Sequence, residues 1–533
     1  MEIYDKFFDD LIHLSPSLND YLQLPQYKSL RTKLKNSISP EYIKKTKKFY
    51  QKYDKILKEK KSKNIYDKVL KYEIKINLEG YKYNFQYFPI DQMNNIVSFY
   101  IQLLNGTGEY LYQTHEDYKA FMIRNRDFAI YCCQMISNMY KGISKKLVLP
   151  KPIVKMLIND IENIMNNKDY INSKVPKKLK KEWDKNVEEY VVMPIKNLLL
   201  FLKTKYLKAA RKTLGYSSLP DGKNMYKYLV KSMTTNSKLS VKQIHELGLK
   251  EVKRIFSEMK MVMKRMNYKK DFKHFVKHIK SLKYNKFKNA NEAMNHYKNT
   301  RDYLWKYIMP EFFDIKIKKN YEIKRVPKAT QDSAPLAYYV GGSLDGKRDG
   351  VFWLNLRNPK EMLKSDDLTL SKHEGIPGHH FQITLTNESK KIPMFIKIAN
   401  YIGYIEGWAL YAENIGEYED DLEYFGKLNS EMLRAIRLVV DTGIHYYNWS
   451  YKRCFNLFRK YTTMSDGEIN AEVYRYVADP GQALAYKIGE LTILKLRDEY
   501  LKKNNNIKKF HKLVLEDGPL PLDILIDKIK NSK

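Results

Sequence analysis

Lys372-His373-Glu374-Gly375-Ile376-Pro377-Gly378-His379-His380-Phe381-Gln382 is the stretch on which the reading of this chain turns. The chain has 11 histidines among 533 residues, and three of them fall here. Two histidines at i and i+4 on a helix, with a glutamate beside the first, put both imidazoles on one face to hold zinc and the carboxylate beside it as a base. In this chain position i+4 is Pro377, so the second histidine is displaced to His379 or His380. On an unbroken helix a residue seven positions on returns to the same face but lies ~10 Å along the axis. That is too far for one ion with bonds of ~2.0–2.1 Å. Pro377 removes a backbone donor and Gly378 permits an unusual turn. The Pro-Gly pair therefore predicts a break that folds the intervening residues back, so that His379 or His380 joins His373. Matching Gly-His to the Gly-His of the unexpanded pattern favours His379. It leaves His380 to contact substrate or steady a ligand, and both stay candidates.

A third donor is sought downstream, in Tyr404-Ile405-Glu406-Gly407-Trp408-Ala409-Leu410-Tyr411-Ala412-Glu413. Glu406 is read as sitting just before an amphipathic helix, and its apolar neighbours Trp408, Ala409 and Leu410 argue against a surface carboxylate. A glutamate on a following helix completes a His, His, Glu set that leaves one position for water. Glu413, two turns on, is placed to orient a ligand histidine. The expected cofactor is one Zn2+ per chain.

Working outward, Leu336 to Val340 and Val351 to Leu356 flank a Gly- and Asp-rich turn and read as two strands or a hairpin. The rest reads as helix. Ile153, Met156, Leu157, Ile161 and Ile164 recur at intervals of three and four, as a half-buried helix requires. Asn197 to Ala210 repeats the pattern, and Ser240 is a candidate N-cap. Gly215 to Gly222 is rich in turn residues and marks a lobe boundary. The expectation is a mainly α protein with a small β-sheet beside the site. It comprises an N-terminal helical lobe at 1–214 and a catalytic lobe at 215–533. Strands are expected at about 336–356, the metal helix at about 366–388 and the third-ligand helix at about 404–417.

Composition narrows the classes. Lys+Arg minus Asp+Glu is 96 − 61 = +35. The excess is mostly Lys spread along the whole chain, with tracts such as Lys60–Lys63 and Lys177–Lys181 read as solvated faces. No specific nucleic-acid partner is expected despite this charge. The three cysteines, Cys132, Cys133 and Cys454, give neither a disulfide framework nor a Cys-based zinc site. No uncharged run approaches the ~18–20 residues of a membrane span, and no secretory leader is visible. The expectation is therefore a soluble protein in the cytoplasm, without membrane partners. There is no phosphate-binding Gly-Lys-Ser/Thr loop and no Gly-x-Ser-x-Gly nucleophile elbow. His274 and His278 stand at i and i+4 but lack the adjacent glutamate. His245-Glu246 and His115-Glu116 carry Leu249 and Lys119 at i+4.

Several motifs together resemble one family. They are His373-Glu374-Gly375-Ile376-Pro377-Gly378-His379-His380, Glu406-Gly407-Trp408-Ala409-Leu410-Tyr411, Asp441-Thr442-Gly443-Ile444-His445, and Arg475-Tyr476 with Pro480 to Gly489. Their order is similar to that in domain-of-unknown-function family 885, which is placed among the zincin-like (gluzincin-type) metallopeptidases. The resemblance covers roughly the C-terminal three fifths and reaches upstream to Tyr339–Asn355. It implies a large helical zincin-like fold and a zinc-dependent peptide-bond hydrolase of carboxypeptidase or oligopeptidase type, acting on small or extended peptides. It implies Glu374 as general base, with His445 and Tyr476 or Tyr486 stabilising an oxyanion. It further implies Arg437, Arg475 or Lys487 on a substrate carboxylate, and the strand bearing Trp353 and Asn355 as an edge that aligns the peptide. The rival readings are a non-catalytic peptide- or partner-binding protein that keeps the fold, and a basic nucleic-acid-binding protein.

Overall fold

The computed structural model describes residues 2–61, 64–328, 331, 334–344, 346 and 348–532. The chain divides into two compact units, Met1–Met225 with Val477–Asp479, and Tyr226–Tyr476 with Pro480–Lys533. The division falls at Met225/Tyr226, inside the helix Gly222–Thr234, and not at 214/215. The turn-rich stretch belongs to the first unit's core: Leu219 and Met225 pack on Leu147, with Tyr83, Phe88 and Tyr216 around them.

The first unit is helical throughout. Lys151–Asn166 buries Ile153, Val154, Leu157, Ile158, Ile161 and Ile164 on one face, the spacing of a half-buried helix. The run from Lys177 to Ala209 is widened by single-turn π segments at Glu188–Val192 and Leu202–Tyr206. Leu179 is buried on this run, with the lysines around it turned outward. In the other lysine tract, Lys60 pairs with Asp67 at 2.7 Å, and Ser62 and Lys63 lie outside the described residues.

The second unit holds the site. Its principal helices are α1 (Val241–Arg265), α2 (Asp367–Glu374), α3 (His379–Glu388), α4 (Ile402–Ala412), α5 (Asp421–His445), α6 (Asp466–Ala478) and α7 (Gln482–Asn504). Ser240 caps α1 in a reciprocal box with Gln243. A three-stranded sheet stands beside them: β1 (Glu322–Arg325), β2 (Ala337–Val340) and β3 (Val351–Leu354), in the order β1-β3-β2. β2 and β3 are antiparallel, with Tyr339 opposite Phe352, and β1 runs parallel to β3, with Ile323 opposite Phe352. β3, expected as an edge, is the central strand, and its Val351, Phe352 and Leu354 are buried. β2 is an edge instead. In the turn between β2 and β3, Asp345 and Lys347 lie outside the described residues.

α4 and α7 meet backbone to backbone. A Cβ on Gly407 would lie 2.5 Å from Gly489 Cα, and a Cβ on Gly489 would lie 1.9 Å from Gly403 O. Among the described residues, no helix is long and apolar enough to cross a membrane.

Candidate metal centre

The expected single metal helix is two helices. α2 ends on His373-Glu374, a turn of Gly375 to Gly378 follows, and α3 begins at His379. The Ile376–Pro377 bond in the turn is cis. Three hydrogen bonds hold the turn: His380 N donates to Gly375 O at 3.1 Å, Gln382 N to Gly378 O at 3.1 Å, and Trp408 Nε1 of α4 to Pro377 O at 2.8 Å. Gly378 is required by close approach, since a Cβ there would lie 2.0 Å from His373 O and 2.3 Å from Lys372 O.

This fold-back brings His379, not His380, to His373. The His373 and His379 rings stand at 87° with centroids 4.9 Å apart. Their Nε2 atoms each lie 3.5 Å from Glu406 Oε2. The three donor atoms are all within 4.8 Å of one another. Glu406 lies within α4 rather than ahead of it, so its backbone is fixed by the helix. His373 Nδ1 is 2.8 Å from Glu413 Oε1, and Ser430 Oγ donates to Glu413 Oε2 at 3.4 Å. Because a carboxylate only accepts, Nδ1 donates to Glu413, and Nε2 is the nitrogen turned toward Glu406 and His379. Burial disfavours the charged form of His373, but Glu406 and Glu413 outweigh it and raise its pKa to about 10. Burial likewise opposes the Glu406 charge, yet His379 and His373 hold its pKa well below the usual carboxylate range.

Two imidazoles and one carboxylate are a donor set that zinc takes. Bonds of ~2.1 Å in a tetrahedron separate donors by about 3.4 Å; each histidine Nε2 lies 3.5 Å from Glu406 Oε2, and the three donors lie within 4.8 Å of one another. The buried His379 Nδ1, which has no hydrogen-bond partner among the described residues, leaves that ring's other nitrogen as its functional end. The residues fit the ion.

The three donors and Glu374 line a cavity of about 270 Å³, together with Arg437 of α5 and Tyr486 of α7. Sequence reasoning missed two further walls, Arg434 of α5 and Tyr338-Tyr339 of β2. The signal for Arg434 is its i,i+3 spacing to Arg437 on one helix face. Burial works against the Arg437 charge, but Glu472, Tyr476 and Tyr486 raise its pKa. Burial raises that of Glu472 in turn, and Arg437 with Arg475 pull it down to about 2.

The other expected site residues lie elsewhere. His380 turns to the sheet side: Tyr339 OH donates to its Nδ1 at 2.8 Å and its Nε2 donates to Lys319 O at 3.1 Å. Burial lowers its pKa to about 4. His445 is fully buried, with Nε2 donating to Tyr476 O at 2.8 Å. Tyr476 is buried behind Arg437 and donates to Glu472. Arg475 reaches Gln482 at 2.9 Å and Tyr486 at 3.4 Å without lining the cavity. Lys487 is fully buried among Glu431 (2.7 Å), Glu490 (2.9 Å) and Glu251 (3.4 Å), tying α7 to α5 and α1. Trp353 stacks on Tyr338, and Asn355 Nδ2 donates to Gln331 O and Ala334 O, anchoring the approach to β2. His274 pairs with Asp271 on an exposed helix, and His245 with Thr442.

The structure thus defines a mainly helical protein with a His, His, Glu cluster, its histidines buried and Glu406 partly so, opening on a polar cavity. Residues 16–529 match the family described as "Bacterial protein of unknown function (DUF885)", and the chain belongs to that family. The match extends well past the C-terminal three fifths that carry the motifs. The fold is similar to the crystal structure of a candidate lipoprotein from Colwellia psychrerythraea, with TM-score 0.87, 23% identity, and coverage of 99% of this chain and 98% of that one. It is also similar to a candidate lipoprotein of unknown function from Shewanella oneidensis, with TM-score 0.79, 15% identity, and 98% of each chain covered. No curated protein matches the chain in sequence.

Proposed function

We propose that this chain is a zinc-dependent peptide-bond hydrolase with a gluzincin-like site. The observation that carries the reading is the convergence of His373, His379 and Glu406 on one point, with Glu374 on the same cavity wall. When bound, zinc supplies Lewis acidity toward a carbonyl and lowers the pKa of a water toward ~7. Glu374 follows His373 directly in sequence. It takes the proton of the attacking water and returns it to the leaving amine. Tyr486 OH accepts from Arg475 at 3.4 Å and from Gln482 at 3.5 Å, which leaves its own proton for a developing oxyanion. His445 and Tyr476, buried with other partners, have no part in this scheme. The edge strand β2, whose Tyr338 and Tyr339 border the cavity, replaces β3 as the element that aligns an extended peptide by main-chain bonds. The substrates are small or extended peptides.

The test is elemental analysis paired with hydrolysis of a peptide library. Glu374→Gln should keep about one zinc per chain and lose nearly all turnover. His373→Ala, His379→Ala and Glu406→Ala should lose the metal, and His380→Ala should keep it. A wild-type chain that takes up no zinc when it is supplied, or a Glu374→Gln variant with undiminished turnover, overturns the proposal.

A further inference from the structure

Part of the cavity lining is cationic, and its donors are not used up by the described residues. Arg434 and Arg437 lie three residues apart on α5 and both line the cavity. Arg437 commits Nε and Nη2 to Glu472 and Tyr476, and its Nη1 has no partner among the described residues. Its plane is steadied by Tyr486, whose ring centroid is 4.6 Å from Cζ. Arg434 commits only Nη1, to Ser430 O at 3.1 Å and Ser430 Oγ at 2.6 Å. Its Nε is buried and has no partner among the described residues. A buried guanidinium nitrogen without an acceptor is costly, and a carboxylate matches two adjacent forks of such donors.

The same wall excludes the opposite end of a peptide. An α-ammonium needs a carboxylate to spare. Among the described residues, the carboxylates that line the cavity are Glu374 and Glu406, both at the metal end, and Glu472 is saturated by Arg437, Arg475 and Tyr476.

We infer that Arg434 and Arg437 form a subsite for the C-terminal α-carboxylate of a peptide, which makes the chain a carboxypeptidase. Arg434 is held in place through Ser430 Oγ, which also donates to Glu413, the partner of His373. One hydrogen-bond chain therefore positions both the carboxylate subsite and a metal ligand. The cleavage specificity rests on the hydrolase reading above, and the binding does not, so the two are measured apart.

Calorimetry on zinc-loaded Glu374→Gln protein compares acetyl-Ala-Ala free acid, its C-terminal amide, and acetyl-Ala-Glu amide, which carries its carboxylate on a side chain. The free acid should bind about tenfold to a hundredfold more tightly than either amide. Arg434→Met should erase that preference, and Arg434→Lys should keep part of it, with zinc content and circular dichroism confirming that each variant folds. Equal binding of acid and amides, no binding of any, or a preference that survives Arg434→Met overturns the subsite. Acid-selective binding with no hydrolysis by the wild type keeps the subsite and refutes the hydrolase. Hydrolysis without acid preference does the reverse.

Discussion

Glu413 touches no substrate-facing surface, yet its replacement should weaken zinc binding by a calculable amount. It is 2% exposed and receives the His373 Nδ1 proton at 2.8 Å. A hydrogen bond to an ionised acceptor contributes ~1.5–3 kcal/mol and one to a neutral acceptor ~0.5–1.5 kcal/mol. Glu413→Gln keeps the shape and removes the charge, so it should lose ~1–1.5 kcal/mol of ligand basicity and orientation, about a tenfold fall in zinc affinity. Glu413→Ala leaves the buried N–H unpaired and frees the ring, and the fall should approach a hundredfold, the upper end for residues that orient a metal ligand. Competition against a chromophoric chelator at fixed pH and ionic strength reads both values. The order wild type, Gln, Ala is the signature. If both variants bind zinc within twofold of wild type, the orienting role of Glu413 is wrong. If Gln falls as far as Ala, the loss is one of geometry and not of charge.

Gly378→Ala forces a Cβ to within 2.0 and 2.3 Å of two backbone oxygens, where real contacts stay above 3.0 Å. The end of α2 must shift by about 1 Å, which should cost ~1–3 kcal/mol in urea unfolding and about a hundredfold in turnover; wild-type values for both would show that the turn is not tight. His511 is a pH-dependent element of the fold. It is fully buried, with Nδ1 donating to Phe312 O at 2.9 Å and Nε2 accepting from Tyr411 OH at 2.7 Å. Burial lowers its pKa from 6.5 to about 4, so the unfolded chain binds the proton more readily. The stability from neutral His511 is complete above pH 6.5 and is lost as pH falls toward 4, at up to ~1.4 kcal/mol per pH unit. His511→Gln should flatten the pH dependence of unfolding in that window, and superimposable profiles for variant and wild type would exclude the assignment.

What was legible in the sequence followed from chemistry at short range. Pro377-Gly378 announced the break, and the break selects His379 over His380. Glu406 was readable because an acid among Trp408, Ala409 and Leu410 has few reasons to point inward. The helix at 151–166 and the Ser240 cap followed from periodicity and local bonding. What failed depended on direction and on partners distant in the chain. His445, Tyr476 and Lys487 have the right functional groups, but helix phase turns them into the interior. There Glu251 on α1 and Glu431 on α5 neutralise Lys487, and a backbone carbonyl takes the His445 proton. β1 escaped notice because Ile323 is its one buried residue, which gives no alternation to read. That hidden strand is what makes β3 central and moves the peptide-aligning edge to β2.

The backbone contact between α4 and α7 has a consequence for which ions the site admits. Gly403, Gly407 and Gly489 leave no side chains in the seam to repack, so the helix pair resists shear more stiffly than one spaced by flexible residues. Glu406 adjoins Gly407 and inherits that stiffness. Enlarging the donor triangle would then fall to the Glu406 side chain and not to its backbone. A hard ion such as calcium, which takes six to eight oxygens at ~2.3–2.6 Å, finds too few donors set too close, whereas ions with ~2.0–2.2 Å bonds are met as the site stands. In the proposed zinc site, discrimination by ionic radius would thus be carried in part by three residues that offer no ligand atom.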